Sequence, residues 1–230
     1  MTIAEKLTTI AENQQKVYDA GYAAGQADGS VDLSVPVTMY RCANLNLFGA
    51  KEVVFNFDNL LSLAFFMHIS NAASYVENTV VEHITWNCAK PITSLQQSLY
   101  YNDTRGDNTL KRLTINADTS QATFSNMAAY LYALEVIDGT PLDFTSAGNA
   151  GRFLVKVNNL REIRFVAGSI KGNISFVDTA VLSAESIQSI IDGLADLTGS
   201  DTKTLTLHAD IVLTDEQKAT IAAKNWTLVQ

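Results

Sequence analysis

The groups that could do chemistry in this chain are three histidines, His68, His83 and His208, two cysteines, Cys42 and Cys88, and scattered carboxylates. Hydrolysis or proton transfer would need at least two of them to converge, and the spacing brings none together. Glu82 and His83 are adjacent, but neighbours on a strand point to opposite faces, so they form no dyad by themselves. His68 falls in an apolar run and is read as a packed helix residue, while His83 is read as an exposed strand residue. There is no G-x-S-x-G, no glycine-rich phosphate loop and no H-E-x-x-H. The cysteines are 46 positions apart with no C-x-x-C or Cys/His pattern, so neither a disulfide framework nor a zinc site is indicated. Both are expected to be buried thiols. The reading is of a chain with no catalytic residue, no metal site and no cofactor, and not of an enzyme.

The totals narrow the partners. A net charge of −8 over 230 residues, with a pI near 4.8, disfavours nucleic acid and anionic membrane surfaces, whose contacts are built from clustered Lys and Arg. The longest apolar run, Leu60–Ile69, is half of the roughly 20 residues a membrane helix needs, so no membrane insertion is expected. The chain as given opens without a basic segment followed by an apolar stretch, and synthesis in the cytoplasm is the expectation.

What must position the polar groups is a repeat. The spacing apolar-x-x-apolar-x-apolar occurs at Val81–Trp86, Leu110–Ile115, Leu131–Val136 and Leu160–Phe165. The second apolar residue falls at Ile84, Leu113, Leu134 and Ile163, giving steps of 29, 21 and 29 residues. Such repetition predicts a solenoid in which each unit buries its apolar edge on its neighbours. The intervening residues then line up outward as Glu82/His83, Lys111/Arg112, Tyr132/Ala133 and Arg161/Glu162, beside a second column of Asn56, Thr85, Thr114, Glu135, Arg164 and Thr206. Lys111, Arg112, Arg161 and Arg164 would make this face basic, with Tyr132 among them. The candidate binding residues are His83, Thr85, Lys111, Arg112, Tyr132, Glu135, Arg161 and Arg164.

The flanks have their own patterns. Ile3, Leu7, Ile10, Gln14 and Val17 follow heptad spacing, so residues 1–28 are read as a coiled-coil helix that oligomerises the chain, with Gln14 setting register. Residues 31–39, containing Pro36, read as a linker entering an edge strand. Val53, Phe55 and Phe57 alternate as a half-buried strand, and Leu60–Val76, apolar nearly all round, predicts a buried helix. Ile174–Phe176 predicts a second strand on the far side of a coil. Ser183 opens a helix with apolar positions through Leu197 and a stop at Gly199. Thr204–Leu207 reads as a strand, Thr214–Gln217 as a capping box, and Trp226–Val229 as a last strand. The organisation expected is an N-terminal helix at 1–28, repeats at 32–182 and a cap at 183–230. Residues 32–80 stay open between a first repeat and a separate cap.

These units resemble the BspA-like class of bacterial leucine-rich repeat. The position three after the last apolar residue is Ala89, Asp118, Gly139 or Gly168, so an asparagine ladder at that position is missing, as in that class. Leu134–Phe144 and Leu160–Ile170 look like segments of leucine-rich repeat proteins of gut Firmicutes and their phages, and Leu182–Thr198 with Leu213–Leu228 is similar to the family's C-terminal cap. The opening residues and Val17–Tyr22 are similar to phage-borne members. The resemblance implies an α+β or α/β solenoid with short β-strands per coil, an N-terminal coiled-coil helix and a helical C-terminal cap. It also implies a non-enzymatic phage or prophage virion protein, structural or adhesive. Its expected partners are a protein or glycan on a host surface, or other virion proteins, and a homo-oligomer, with a trimer as the first expectation. The alternative is a bacterial leucine-rich repeat adhesion or interaction module on the cell surface.

Overall fold

The computed structural model describes residues 30–33, 51–57, 62–63, 67–69, 81–101, 109–148, 150 and 152–230. The heptad positions Ile3, Leu7, Ile10, Gln14 and Val17, and Cys42, lie outside the described residues.

Every strand pairing among the described residues is parallel. One sheet runs in the order β1 (Ser30–Leu33), β2 (Glu52–Phe57), β4 (His83–Cys88), β6 (Arg112–Asn116), β8 (Val136–Gly139). A second runs β3 (Met67–Ile69), β5 (Leu99–Tyr101), β7 (Ala128–Ala129), β9 (Leu154–Val155), and a third runs β10 (Ile174–Phe176), β11 (Lys203–Leu207), β12 (Trp226–Val229). Helix α1 spans Ala184–Gly193 and α2 spans Asp215–Ala223. Strands that neighbour in a parallel sheet need a long crossover. Here the chain returns to the first sheet 24 residues on from Ser30 at Val54, 31 on at Thr85, 29 on at Thr114 and 24 on at Asp138. From β2 onward it passes through the second sheet between visits, so β2 to β9 alternate between the two sheets in sequence.

The apolar spacing sorts the interior. All twelve apolar positions of the four sequence units are buried, from Val81, Ile84 and Trp86 through to Leu160, Ile163 and Phe165. Five phenylalanines then form a contiguous column. Phe124 stacks on Phe144 at 3.9 Å between ring centroids, and Phe144 meets Phe153 and Phe165 edge-on, each at 5.3 Å. Phe176 continues it, 5.5 Å from Phe153 and 6.0 Å from Phe165. Offset and edge contacts of this kind add stability beyond area burial.

Three expectations are corrected. In the segment Leu60–Val76, where a helix is expected, the described residues pair as strand: Ser62 bridges Ser94, and Met67–Ile69 is β3, while the rest of the segment lies outside the described residues. A short run that is apolar on all sides fits a strand buried on both faces as well as a helix, and periodicity cannot separate them. His68 is therefore a strand residue.

The third repeat is out of step with its sequence spacing. Ile84 pairs with Leu113, Leu113 with Ile137, and the Val136–Glu162 bridge puts Ile137 beside Ile163, so Leu134-x-x-Ile137 is the unit in register and the steps are 29, 24 and 26. Val136 and Ile137 are both buried, so apolarity alone did not choose between the two alignments. The polar pairing of Asp138 with Arg112 and Thr114 suits the alignment found.

The last correction concerns α1, which ends at Gly193 and not at Leu197. A Cβ on Gly193 would lie 2.9 Å from Phe165 Cβ, so the helix meets the preceding turn too closely to carry a side chain there. Leu194 leaves the helix to bridge Ile170. Lys224 Nζ donates to the carbonyls of Ile191 and Leu194, at 2.8 Å each, and so covers the carbonyls that the helix end leaves open. Thr214 and Gln217 form the reciprocal capping box that opens α2.

Candidate binding face

The outward side of the first sheet carries the polar positions of β2, β4, β6 and β8. Its columns run across the strands and are fixed by main-chain bonds. Glu82 N donates to Lys51 O, Lys111 N to Glu82 O, Glu135 N to Lys111 O and Arg161 N to Glu135 O, at 2.7–2.8 Å. The column Lys51, Glu82, Lys111, Glu135, Arg161 therefore alternates in sign at every step. Lys51 and Lys111 grip Glu82 from either side, at 3.1 and 2.7 Å. Like charges stacked on neighbouring strands would repel, and alternation turns the same stack into mutual attraction.

The Glu82 carboxyl is lowered from 4.5 to about 2, first by its hydrogen bond to Lys111 and then by the one to Lys51. Lys111 is correspondingly raised, chiefly by the bond to Glu82. A carboxylate depressed on folding stabilises the protein fully above its unfolded value. That stabilisation is lost as the pH falls from 4.5 towards about 2. Glu82→Gln is expected to lower the thermal midpoint slightly at pH 7 and to match the wild type near pH 2, with the pH 7 difference shrinking in high salt because the pair is partly exposed. Scanning calorimetry at both pH values checks it; a difference that persists at pH 2 would mean that packing, and not the ion pair, was lost.

A second column holds Glu52, His83, Arg112, Val136 and Glu162. His83 Nδ1 is 2.8 Å from Glu52 Oε1, so the partner of His83 is a carboxylate one strand away and not the adjacent Glu82. A third column holds Val54, Thr85, Thr114 and Asp138. Arg112 Nη1 bonds Asp138 Oδ2, and Thr114 Oγ1 donates to Asp138 Oδ1 at 2.6 Å. A fourth is made of Asn56, Asn87 and Asn116, where Asn87 Nδ2 donates to Asn56 Oδ1 at 2.7 Å and Asn116 Nδ2 to Asn87 Oδ1 at 2.8 Å. This amide ladder sits one residue after the last apolar position of its units, on the outer side. The signal was legible as Phe55-Asn56, Trp86-Asn87 and Ile115-Asn116, one residue past the apolar position and not three.

Of the candidate binding residues, His83, Thr85, Lys111, Arg112, Glu135 and Arg161 occupy these columns, and Arg164 follows Glu162 by two residues on the same pass. Tyr132 does not. It lies in the turn before Leu134, where its carbonyl accepts from Asn159 Nδ2 at 2.7 Å, because the three-residue shift of register puts Glu135 and Val136 in the place expected for Tyr132 and Ala133. Glu135 belongs to the column of Lys111, and Asp138 takes the place assigned to it beside Thr114. Asn56 stands in the asparagine column, and Thr206 belongs to the third sheet, where it pairs with Ser175.

The face is balanced, not basic: Lys51, Lys111, Arg112, Arg161 and Arg164 face Glu52, Glu82, Glu135, Asp138 and Glu162. Lys111 and Arg112 are held in ion pairs, whereas Arg161 and Arg164 are exposed and form no ion pair among the described residues. Away from the face, Cys88 is half-buried and its thiol is pushed up to about 12 by burial, which makes it unreactive. His208 accepts from the Asp210 main chain through Nδ1 at 3.2 Å, a local turn contact. A scan against protein-family models, a search of curated proteins and a search of solved structures each found no match to this chain.

Proposed function

We propose that this protein is a non-enzymatic phage or prophage virion protein, structural or adhesive, in which a leucine-rich repeat solenoid is carried on a coiled-coil segment at residues 1–28 and binds a protein or glycan at a host surface. The observation that carries the reading is the outward face of the parallel strands, where polar side chains are held in fixed columns by the main-chain ladder. A surface so organised presents preordered hydrogen-bonding groups to a partner and loses little entropy on binding. Repetition through an oligomer would raise avidity without new contacts. The resemblance to phage-borne leucine-rich repeat proteins supplies the virion setting.

Sedimentation equilibrium on the full chain, beside a truncated chain starting at Asp32, tests the assembly. A discrete oligomer is expected for the first and a monomer for the second. Monomers in both cases would remove the oligomerising role of Ile3, Leu7, Ile10, Gln14 and Val17, and with it the avidity argument. The multimer is then applied to bacterial cells. Saturable retention, weakened by charge reversal at Arg161 and Arg164, is the result the sheet face requires.

A further inference from the structure

We infer that a second site, distinct from the sheet face, binds an acidic saccharide in an open groove of about 450 Å³ lined by Ser125, Arg152, Asn173, Ser175, Thr204 and Thr206. It rests on the binding reading above but uses none of the residues of that face. The groove is assembled from four successive passes of the chain. Asn126 N donates to Arg152 O, which joins the first two; Ala150 N donates to Asn173 O, which joins the next; and Ser175 pairs with Thr206 across β10 and β11. Three strand spacings give it a length of roughly 14 Å, longer than one sugar ring.

Its chemistry differs from that of the sheet face. Arg152 is exposed and makes no ion pair among the described residues, and no acidic side chain lines the groove. Asn173 is pinned, because its Oδ1 accepts from Thr204 N at 2.9 Å, and this leaves its Nδ2 as a fixed donor. The hydroxyls of Ser125, Thr204 and Thr206 have no partner among the described residues. A planar guanidinium matches a carboxylate or sulfate through two parallel bonds. Flanking hydroxyls and an amide both donate and accept, as the hydroxyls of a sugar require. The walls carry no aromatic ring and only buried Ile174 as an apolar member, which suits a polar, charged sugar better than an apolar peptide side chain.

The test is calorimetric titration of the full chain with trigalacturonate, its neutral methyl ester and a sulfated oligosaccharide, using inorganic sulfate as the anion control. Saturable binding of a charged oligosaccharide, with the neutral ester at least tenfold weaker, is expected. Arg152→Gln should weaken it by about tenfold or more, the usual scale for removing a charged hydrogen-bond partner, whereas Lys218→Gln, which removes an exposed cation outside both the groove and the sheet face, should leave it unchanged. The absence of saturable binding by either charged oligosaccharide overturns the proposal. So does binding that survives Arg152→Gln, or inorganic sulfate binding as tightly as the oligosaccharides. Binding lost in Arg164→Gln but kept in Arg152→Gln would return glycan recognition to the sheet face, which sinks this site and leaves the proposed function standing. Arg152 is a surface residue, and unchanged circular dichroism of the variant separates lost contact from lost fold.

Discussion

Phe144→Ala is expected to destabilise the protein by about 3–5 kcal/mol, the range for removing a fully buried aromatic side chain. Phe144 is 1% exposed and touches Phe124, Phe153 and Phe165, which belong to different passes of the chain. Its loss leaves a cavity between passes, and the parallel ladders on either side restrict how far the backbone can relax into it. Urea unfolding followed by tryptophan fluorescence and circular dichroism measures the effect. Because each pass contacts mainly its neighbours, a large local loss should also separate the two tryptophans when each is read alone in a Trp86→Phe or Trp226→Phe background: Trp226 reports the C-terminal side and Trp86 the N-terminal side. A loss under about 1 kcal/mol would mean that the column relaxes freely and is not what couples the passes.

Gly139→Ala is expected to have the second largest effect. Gly139 has φ +94, and a Cβ built there would lie 2.4 Å from Ile115 O and 2.8 Å from Asn116 Oδ1. The backbone conformation alone costs an L-residue about 1–3 kcal/mol, and overpacking adds about 1–3 kcal/mol. The carbonyl cannot yield easily, since Ile115 O also accepts from Thr140 N at 2.8 Å. Gly168→Ala is the control. It shares a positive φ, +68, but has nothing within 4 Å of the added carbon, so it should show the backbone cost alone. Comparable unfolding midpoints for the two variants would show that the close approach at Gly139 carries no penalty. The amide ladder stops after Asn116 because Gly139 pairs with Ile115, which puts Thr140 and not an asparagine next in that column.

What the sequence determined by itself was the sorting of inside from outside. The spacing at Val81, Ile84 and Trp86, and at its three recurrences, marks buried positions, because burial of an apolar side chain is decided largely by its own chemistry and its phase on a strand. The capping box at Thr214–Gln217 was equally legible, since both partners lie within one helical turn. The strand at Met67–Ile69 was not, because an evenly apolar run carries no phase to read.

The tertiary structure decided which residues meet across passes. Leu131–Val136 matches the repeat better than Leu134–Gly139, whose last position is a glycine, and only pairing with β6, where Asp138 meets Arg112 and Thr114, selects the second. A shift of three residues along one strand moved Tyr132 out of the face and brought Glu135 opposite Lys111. With that, a face expected to be basic became one of alternating charge. Such pairings join residues 24 to 31 positions apart, so no local pattern encodes them. The groove at Arg152 has the same origin: its side chains come from four passes of the chain, and only their stacking brings a guanidinium, an amide and a set of hydroxyls to one place.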